Sequence, residues 1–233
     1  MLIRMCMFSV LAILICPSWV SAQSTDQVSD GFKLEVGFIS LFNGKDLTGW
    51  NFLPTTEQQK KQHARWRKNN PGAPPWPVYE KTIDFAGKQK TDGGRFVADA
   101  GRLVVTVPAE GRKIQMLYTN QEFEKDFTLK LEFRAALNAD SGVFIRGKQL
   151  QCRDFPNAGP YKDLKKFKPG DWNELVVVVT GETANCTCNG EVLESELKVP
   201  AKGPIGFEGD QGQLEYRRIR IRQVPDGEKA DGT

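Results

Sequence analysis

The stretch Phe127-Thr128-Leu129-Lys130-Leu131-Glu132-Phe133-Arg134 decides the fold. Apolar residues fill every second position. Successive side chains of an extended strand point to opposite sides, so Phe127, Leu129, Leu131 and Phe133 line a buried face while Lys130, Glu132 and Arg134 meet solvent. A helix would scatter the same residues around its axis. The same period recurs outward from this stretch: Val143 and Ile145 alternate with Phe144 and Arg146, and further short runs cover 102–107, 113–119, 149–153, 172–180, 183–188, 191–194, 204–208 and 214–222. Asn189-Gly190, between two runs, has the residues that a type I′ hairpin turn prefers. Strands punctuated by Gly, Asn, Asp and Pro, with no long amphipathic helix, predict an all-β antiparallel β-sandwich or barrel, of which the sandwich is favoured.

The segment 54–94 breaks the pattern. Thr56 is placed to cap a short, basic helix from Glu57 to Lys68, and Asn69 to Pro77 is too proline-rich for helix or central strand. Trp66, Trp76 and Tyr79 in the same segment argue against a disordered linker, because such linkers are aromatic-poor. A loop and short-helix insertion at 54–94, over the rim of the sandwich, is expected.

Residues 1–22 read as a secretory signal peptide, with Arg4 at the start, an apolar core from Met5 to Ile15 and the small-residue site Val20-Ser21-Ala22. The apolar stretch is too short for a membrane span. A lipid anchor at Cys16 is the competing reading, disfavoured by the bulky Ile15 before it. The expected organisation is the signal peptide, a linker at 23–36, one sandwich domain at 37–224 and a frayed tail at 225–233. An exported, periplasmic or extracellular protein follows. Cys6 and Cys16 leave with the leader, and Cys152, Cys186 and Cys188 remain, either with one disulfide or as buried thiols. The spacing Cys186-x-Cys188 without a second pair is no zinc site. The formal net charge of +3, from which Arg4 leaves with the leader, disfavours a strongly basic nucleic-acid binder.

Alternation also sorts the chemistry. If the strands around 127–134, 143–146 and 149–153 are neighbours in one sheet, its outer face carries Glu132, Arg134, Phe144, Arg146, Gln149, Gln151 and Arg153 together. That mixture suits a sugar, which presents an apolar ring face and a rim of hydroxyls, against the plain alternative of a solvated, self-paired surface. Glu208 and Asp210, beside Gly209 and Gly212 at a strand end, are able to act as a base or to hold a cation. No Gly-x-Ser-x-Gly or His-Glu-x-x-His occurs, and the one histidine, His63, falls on the basic helix.

Several blocks in order carry a resemblance: Phe38-Ile39-Ser40-Leu41-Phe42-Asn43-Gly44-Lys45-Asp46-Leu47-Thr48-Gly49-Trp50, then Ser141 to Arg146, Trp172-Asn173-Glu174, Gly203-Pro204-Ile205-Gly206-Phe207 and Glu215 to Arg222. The chain resembles the bacterial 3-keto-disaccharide hydrolase family, also described as 3-keto-glucoside-1,2-lyase/3-keto-2-hydroxyglucal hydratase domains. The resemblance implies a concanavalin A-like jelly-roll sandwich acting on the concave face of one sheet. It implies a glycoside oxidised at carbon 3, cleaved by elimination and hydration. In the block Gln149-Leu150-Gln151-Cys152-Arg153-Asp154, Gln151 and Asp154 match the family, while Gln149 stands where a glutamate is usual. Asp210 stands where many members have a histidine.

The catalytic set this implies is Glu132, Arg146, Gln151, Asp154 and Asp210, with Arg134, Phe144, Gln149, Arg153 and Glu208 contacting a saccharide or 3-keto-glycoside partner. Trp50 is either a ring platform or a core residue. No cofactor is certain, and a divalent cation is left open. The alternative function is a non-catalytic carbohydrate-binding module on the same sandwich.

Overall fold

The computed structural model describes residues 31–72, 75–108, 114–154 and 160–225. The leader at 1–22 with Cys6 and Cys16, the linker up to residue 30, Lys113 and the tail beyond Pro225 lie outside the described residues. A compact unit starts at Lys33; of the unit before it, Met1–Phe32, only residues 31 and 32 are described.

Among the described residues fourteen strands and one α-helix follow in chain order: β1 (Ile39–Ser40), β2 (Trp50–Phe52), α1 (Glu57–Asn69), β3 (Ile83–Asp84), β4 (Phe96–Asp99), β5 (Arg102–Val105), β6 (Gln115–Phe123), β7 (Phe127–Ala135), β8 (Asp140–Ile145), β9 (Lys148–Arg153), β10 (Asn173–Thr180), β11 (Thr183–Cys188), β12 (Glu191–Lys198), β13 (Gly203–Gly209) and β14 (Leu214–Gln223). They pair antiparallel in two sheets. One runs β12-β11-β10-β7-β14-β5-β4 with β1 added on β14, and the other runs β3-β2-β6-β13-β8-β9. Their inner faces meet in one hydrophobic core, so the fold is the predicted antiparallel sandwich.

The strand that opened the reading behaves as its period requires. Phe127, Leu129, Leu131 and Phe133 are fully buried, and Lys130, Glu132 and Arg134 alternate with them on the outside. Trp50 is a core residue: it is fully buried, and its indole N–H donates to the Leu41 carbonyl at 3.1 Å. At the β11–β12 hairpin Asn189 and Gly190 have φ of 49° and 77°, the left-handed pair that a type I′ turn needs. Cys152 on β9 and Cys186 and Cys188 on β11 point into the core as free thiols.

The 54–94 segment holds its place through local chemistry. Thr56 and Gln59 close a capping box at the start of α1, each side chain satisfying the other's backbone N–H. Farther along, Tyr79 stacks on Phe52 with ring centroids 4.8 Å apart and accepts a hydrogen bond from Gln115 at 2.8 Å. Trp76 packs against both Trp66 and His63.

Two expectations about faces need correction. Although β7 and β8 are consecutive, they lie in different sheets, because residues 136–139 cross from one sheet to the other. Glu132 and Arg134 are therefore on the outer face of the eight-stranded sheet, while Phe144, Gln149, Gln151 and Arg153 belong to the six-stranded one. Arg146 is not on either outer face. It follows the last residue of β8 and forms, with Gly147, the two-residue turn to β9; its φ of 51° ends the alternation one residue early. The guanidinium is buried, donating to the carbonyls of Gly181, Pro200 and Lys125 over the Phe127 ring.

Candidate functional site

The outer face of the six-stranded sheet is ordered by its register into two rows. One runs Asp84, Asn51, Tyr118, Gly206, Phe144, Gln149 across six strands. Beside it lies a second row, with Met116 opposite Glu208 and Gly142 opposite Gln151. Two glycines thus sit in the middle of the face, and both are roofed by neighbours. A Cβ on Gly206 would run into the Tyr118 ring, and one on Gly142 would lie 2.7 Å from the Gln149 amide nitrogen.

That clearance explains the central contact. Gln149 on β9 folds across Gly142 on β8 and donates to the Glu208 carboxylate on β13 at 2.5 Å. A side chain at 142 would block the reach. Glu208 is 8% exposed, and the backbone beneath it is pinned where Ser141 Oγ donates to its carbonyl at 2.5 Å. Tyr118 and Phe144 meet edge to face at 5.8 Å, giving an aromatic pair next to the carboxylate. Burial, and secondarily the charge of Glu208, push the Tyr118 phenol well above its ordinary range, so it stays a neutral donor; it donates to Met116 Sδ at 3.3 Å.

At the end of β13 a buried cation lies on the inner side of the strand, within range of the Glu208 and Asp210 charges. Arg95 is 3% exposed and donates to the Asp210 carbonyl at 2.7 Å, crossing Gly209, where a Cβ would come within 3.0 Å of its Cγ and Nε. Its Nε and Nη1 have no hydrogen-bond partner among the described residues. Burial lowers its pKa to about 10, against the opposing pull of the Asp210 and Glu208 charges, which leaves a guanidinium at neutral pH.

Of the residues singled out from sequence, Phe144, Gln149, Gln151 and Glu208 are brought together on this face. Asp154, Arg153 and Asp210 lie toward its far end. Arg153 is paired with Asp140 at 2.7 Å, and Asp154, 2% exposed, accepts from the Asn138 N–H at 2.8 Å and so braces the sheet-crossing loop. Glu132 and Arg134 are elsewhere. Glu132 is bound by Arg217 at 2.7 Å and by Arg218, and Arg134 by Glu215 at 2.7 Å, with Trp172 beneath the Arg134 and Arg217 guanidiniums. Both serve a paired surface rather than this site, and Arg146 serves the end of the sandwich.

Sequence reading passed over Arg95, Tyr118, Met116 and His63. Tyr118 and Met116 were recoverable from the alternation of β6, where Leu117 points inward. For Arg95 the only local signal is the preceding pair Gly93-Gly94. His63, assigned to a solvated helix surface, instead borders a cavity of about 160 Å³ between α1 and β6, lined also by Leu53, Thr55, Gln59, Tyr79, Met116 and Tyr118. Among the described residues no group of three or more His, Cys, Asp or Glu side chains is placed to hold a metal ion, and no helix is long and apolar enough to cross a membrane.

The sequence profile of the 3-keto-alpha-glucoside-1,2-lyase-like domain matches residues 37–222. Two solved structures from Parabacteroides distasonis ATCC 8503, each described as a "putative glycosyl hydrolase", are similar to this chain. One has 16% identity and a TM-score of 0.53, covering 81% of this chain and 94% of that one. The other has 20% identity and a TM-score of 0.44, covering 55% and 90%. The carbohydrate-binding module CBM66 from Bacillus subtilis is similar at 8% identity and a TM-score of 0.36, covering 57% and 89%. At 16% identity the likeness to the first of these is one of fold. No curated protein matches the chain.

Proposed function

Because the chain belongs to the 3-keto-alpha-glucoside-1,2-lyase-like family, a carbohydrate-related family, we propose that it is an exported enzyme that cleaves 3-keto-glycosides on the outer face of its six-stranded sheet. The observation that carries this reading is the carboxylate of Glu208, nearly buried and aimed by Gln149 across the glycine floor.

The ketone at carbon 3 acidifies the proton on carbon 2. Glu208 removes that proton, and the electron pair moves to the carbonyl oxygen as an enolate. Collapse of the enolate forms the C1–C2 double bond and expels the anomeric substituent, which takes the proton held by Glu208 and leaves as an alcohol. Water then adds at carbon 1, its hydroxyl going to that carbon and its proton passing through Glu208 to carbon 2. The sum is a 3-keto-sugar and an alcohol from one glycoside and one water. The Arg95 guanidinium supplies fixed positive potential for the enolate, where a preorganised charge in a dry site is worth most. Gln149 and Gln151 meet hydroxyls, and Tyr118 with Phe144 contacts the ring. Asp154, Arg153 and Asp210 hold the far end of the face in register. No step is routed through a divalent cation.

The test is incubation of the full chain with a 3-keto-glucoside in D2O. The expected product is the 3-keto-sugar carrying deuterium at carbon 2. The neutral Gln149 amide, where a family glutamate is usual, favours one competing reading, a saccharide-binding module. That reading wins if no 3-keto-glycoside is converted while calorimetry shows saccharide binding.

A further inference from the structure

The cavity between α1 and β6 adjoins the proposed ring site through Tyr118 and Met116, and its walls are unlike those of a sugar subsite. A second sugar would need several open donors and acceptors for its hydroxyl rim. Here most of the polar side chains are engaged within the wall, and His63 Nδ1 at its border has no hydrogen-bond partner among the described residues. Thr56 and Gln59 satisfy the capping box, and Thr55 Oγ1 accepts from the Tyr79 N–H at 2.9 Å. The Tyr79 hydroxyl accepts from Gln115, and the Tyr118 hydroxyl donates to Met116. What remains facing the space is the apolar surface of Leu53, Pro77, Ile114 and Met116 with the rings of Tyr79 and Tyr118. His63 at the border packs edge-on against Trp76 at 4.2 Å, and burial lowers its pKa, which keeps the imidazole neutral.

We infer that this cavity receives the leaving group of the glycoside, and that the leaving group it fits is a single aromatic ring, a phenolic aglycone, rather than a second sugar. The inference rests on the reading above for the sugar half and adds the identity of the other half. A flat ring of this kind fills a cavity of the observed size and exchanges hydration for aromatic and thioether contacts. The anomeric oxygen then lies at the boundary between the cavity and the face, beside Tyr118.

The experiment compares 4-nitrophenyl 3-keto-glucoside with a 3-keto-disaccharide as substrates of the full chain, and measures binding of free 4-nitrophenol by calorimetry. Leu53 is a partly exposed wall residue outside the proposed machinery, so Leu53→Trp fills the cavity from its rim. The expected result is a kcat/KM at least about tenfold higher for the aryl glycoside, falling roughly tenfold in Leu53→Trp while the disaccharide value is unchanged. Free 4-nitrophenol binds the wild type and is lost in the variant. If Leu53→Trp fails to fold, Leu53→Ala, which enlarges the cavity, lowers aryl kcat/KM and 4-nitrophenol affinity alone. Equal kcat/KM for both substrates, or aryl turnover and phenol binding indifferent to Leu53, overturns the inference. Turnover of neither substrate overturns the catalytic reading instead, and 4-nitrophenol binding that Leu53→Trp abolishes still supports the aromatic preference of the cavity.

Discussion

The two outer faces of the sandwich each carry glutamates and arginines, yet they are built on opposite plans. On the side of the eight-stranded sheet three glutamates are held by cations: Glu132 by Arg217 and Arg218, Glu215 by Arg102 and Arg134, and Glu35 by Arg220. On the six-stranded sheet the neutral Gln149 amide donates to Glu208 over a floor of glycines. Crossed guanidiniums cover the Glu132 carboxylate, whereas the glycines let the Gln149 amide and the Tyr118 ring lie across the sheet beside Glu208. The difference teaches that charged residues on an outer face do not by themselves mark a site. What holds each carboxylate does.

Three measurements break or sharpen this contrast. The largest effect is expected from Glu208→Gln, which should lower kcat on a 3-keto-glucoside by about 100-fold or more, the usual worth of a general base. Glu132→Gln should leave kcat intact and cost roughly 1 kcal/mol of stability by urea unfolding, as a partly exposed pair does. Equal kinetic losses in the two variants would erase the distinction between the faces. Next comes Gly142→Ala. Its methyl displaces the flexible end of Gln149, so turnover should fall roughly tenfold with little change in melting temperature, because a small misplacement of catalytic groups costs rate before it costs stability. Retained activity there would show that the Gln149 contact is dispensable.

The smallest effect concerns the paired face and pH. Hydrogen bonding to Arg220 lowers the Glu35 pKa from 4.5 to about 2. A depressed folded-state value means that the pair adds stability above about pH 4.5 and loses it as pH falls through about 2. Glu35→Gln should therefore flatten the acid limb of stability between those values, by a small amount because Glu35 is partly exposed. An unchanged limb would remove Glu35 from the account.

Much of the fold was legible because burial enforces a period. The run from Phe127 to Arg134, the Thr56 cap and the Asn189-Gly190 turn each depend on neighbours in sequence, and each took the predicted form. The sheet to which a strand belongs depends on its connection, and alternation is blind to that. Residues 136–139 sent β7 and β8 to different sheets and divided a site that looked whole. Arg146 shows a second limit, since one left-handed residue at a hairpin stops the alternation and turns a surface arginine into an internal brace. Gln149, Gln151 and Phe144 share a face that alternation does define, and Glu208, singled out as a carboxylate beside glycines at a strand end, lies on the same face. Arg95 escaped because it lies outside the six-stranded sheet and packs across Gly209 from the core side.

The three core thiols carry a consequence for how this chain meets oxidants. Burial pushes Cys186 and Cys188 up to about 12, and Cys152 higher still. Such thiols stay protonated at neutral pH, and sulfur chemistry runs through the thiolate. In the folded state the cysteines are chemically silent. Mispairing is confined to the interval before the two sheets close, so in an oxidising compartment the hazard is set by how fast the chain folds rather than by how long it lasts.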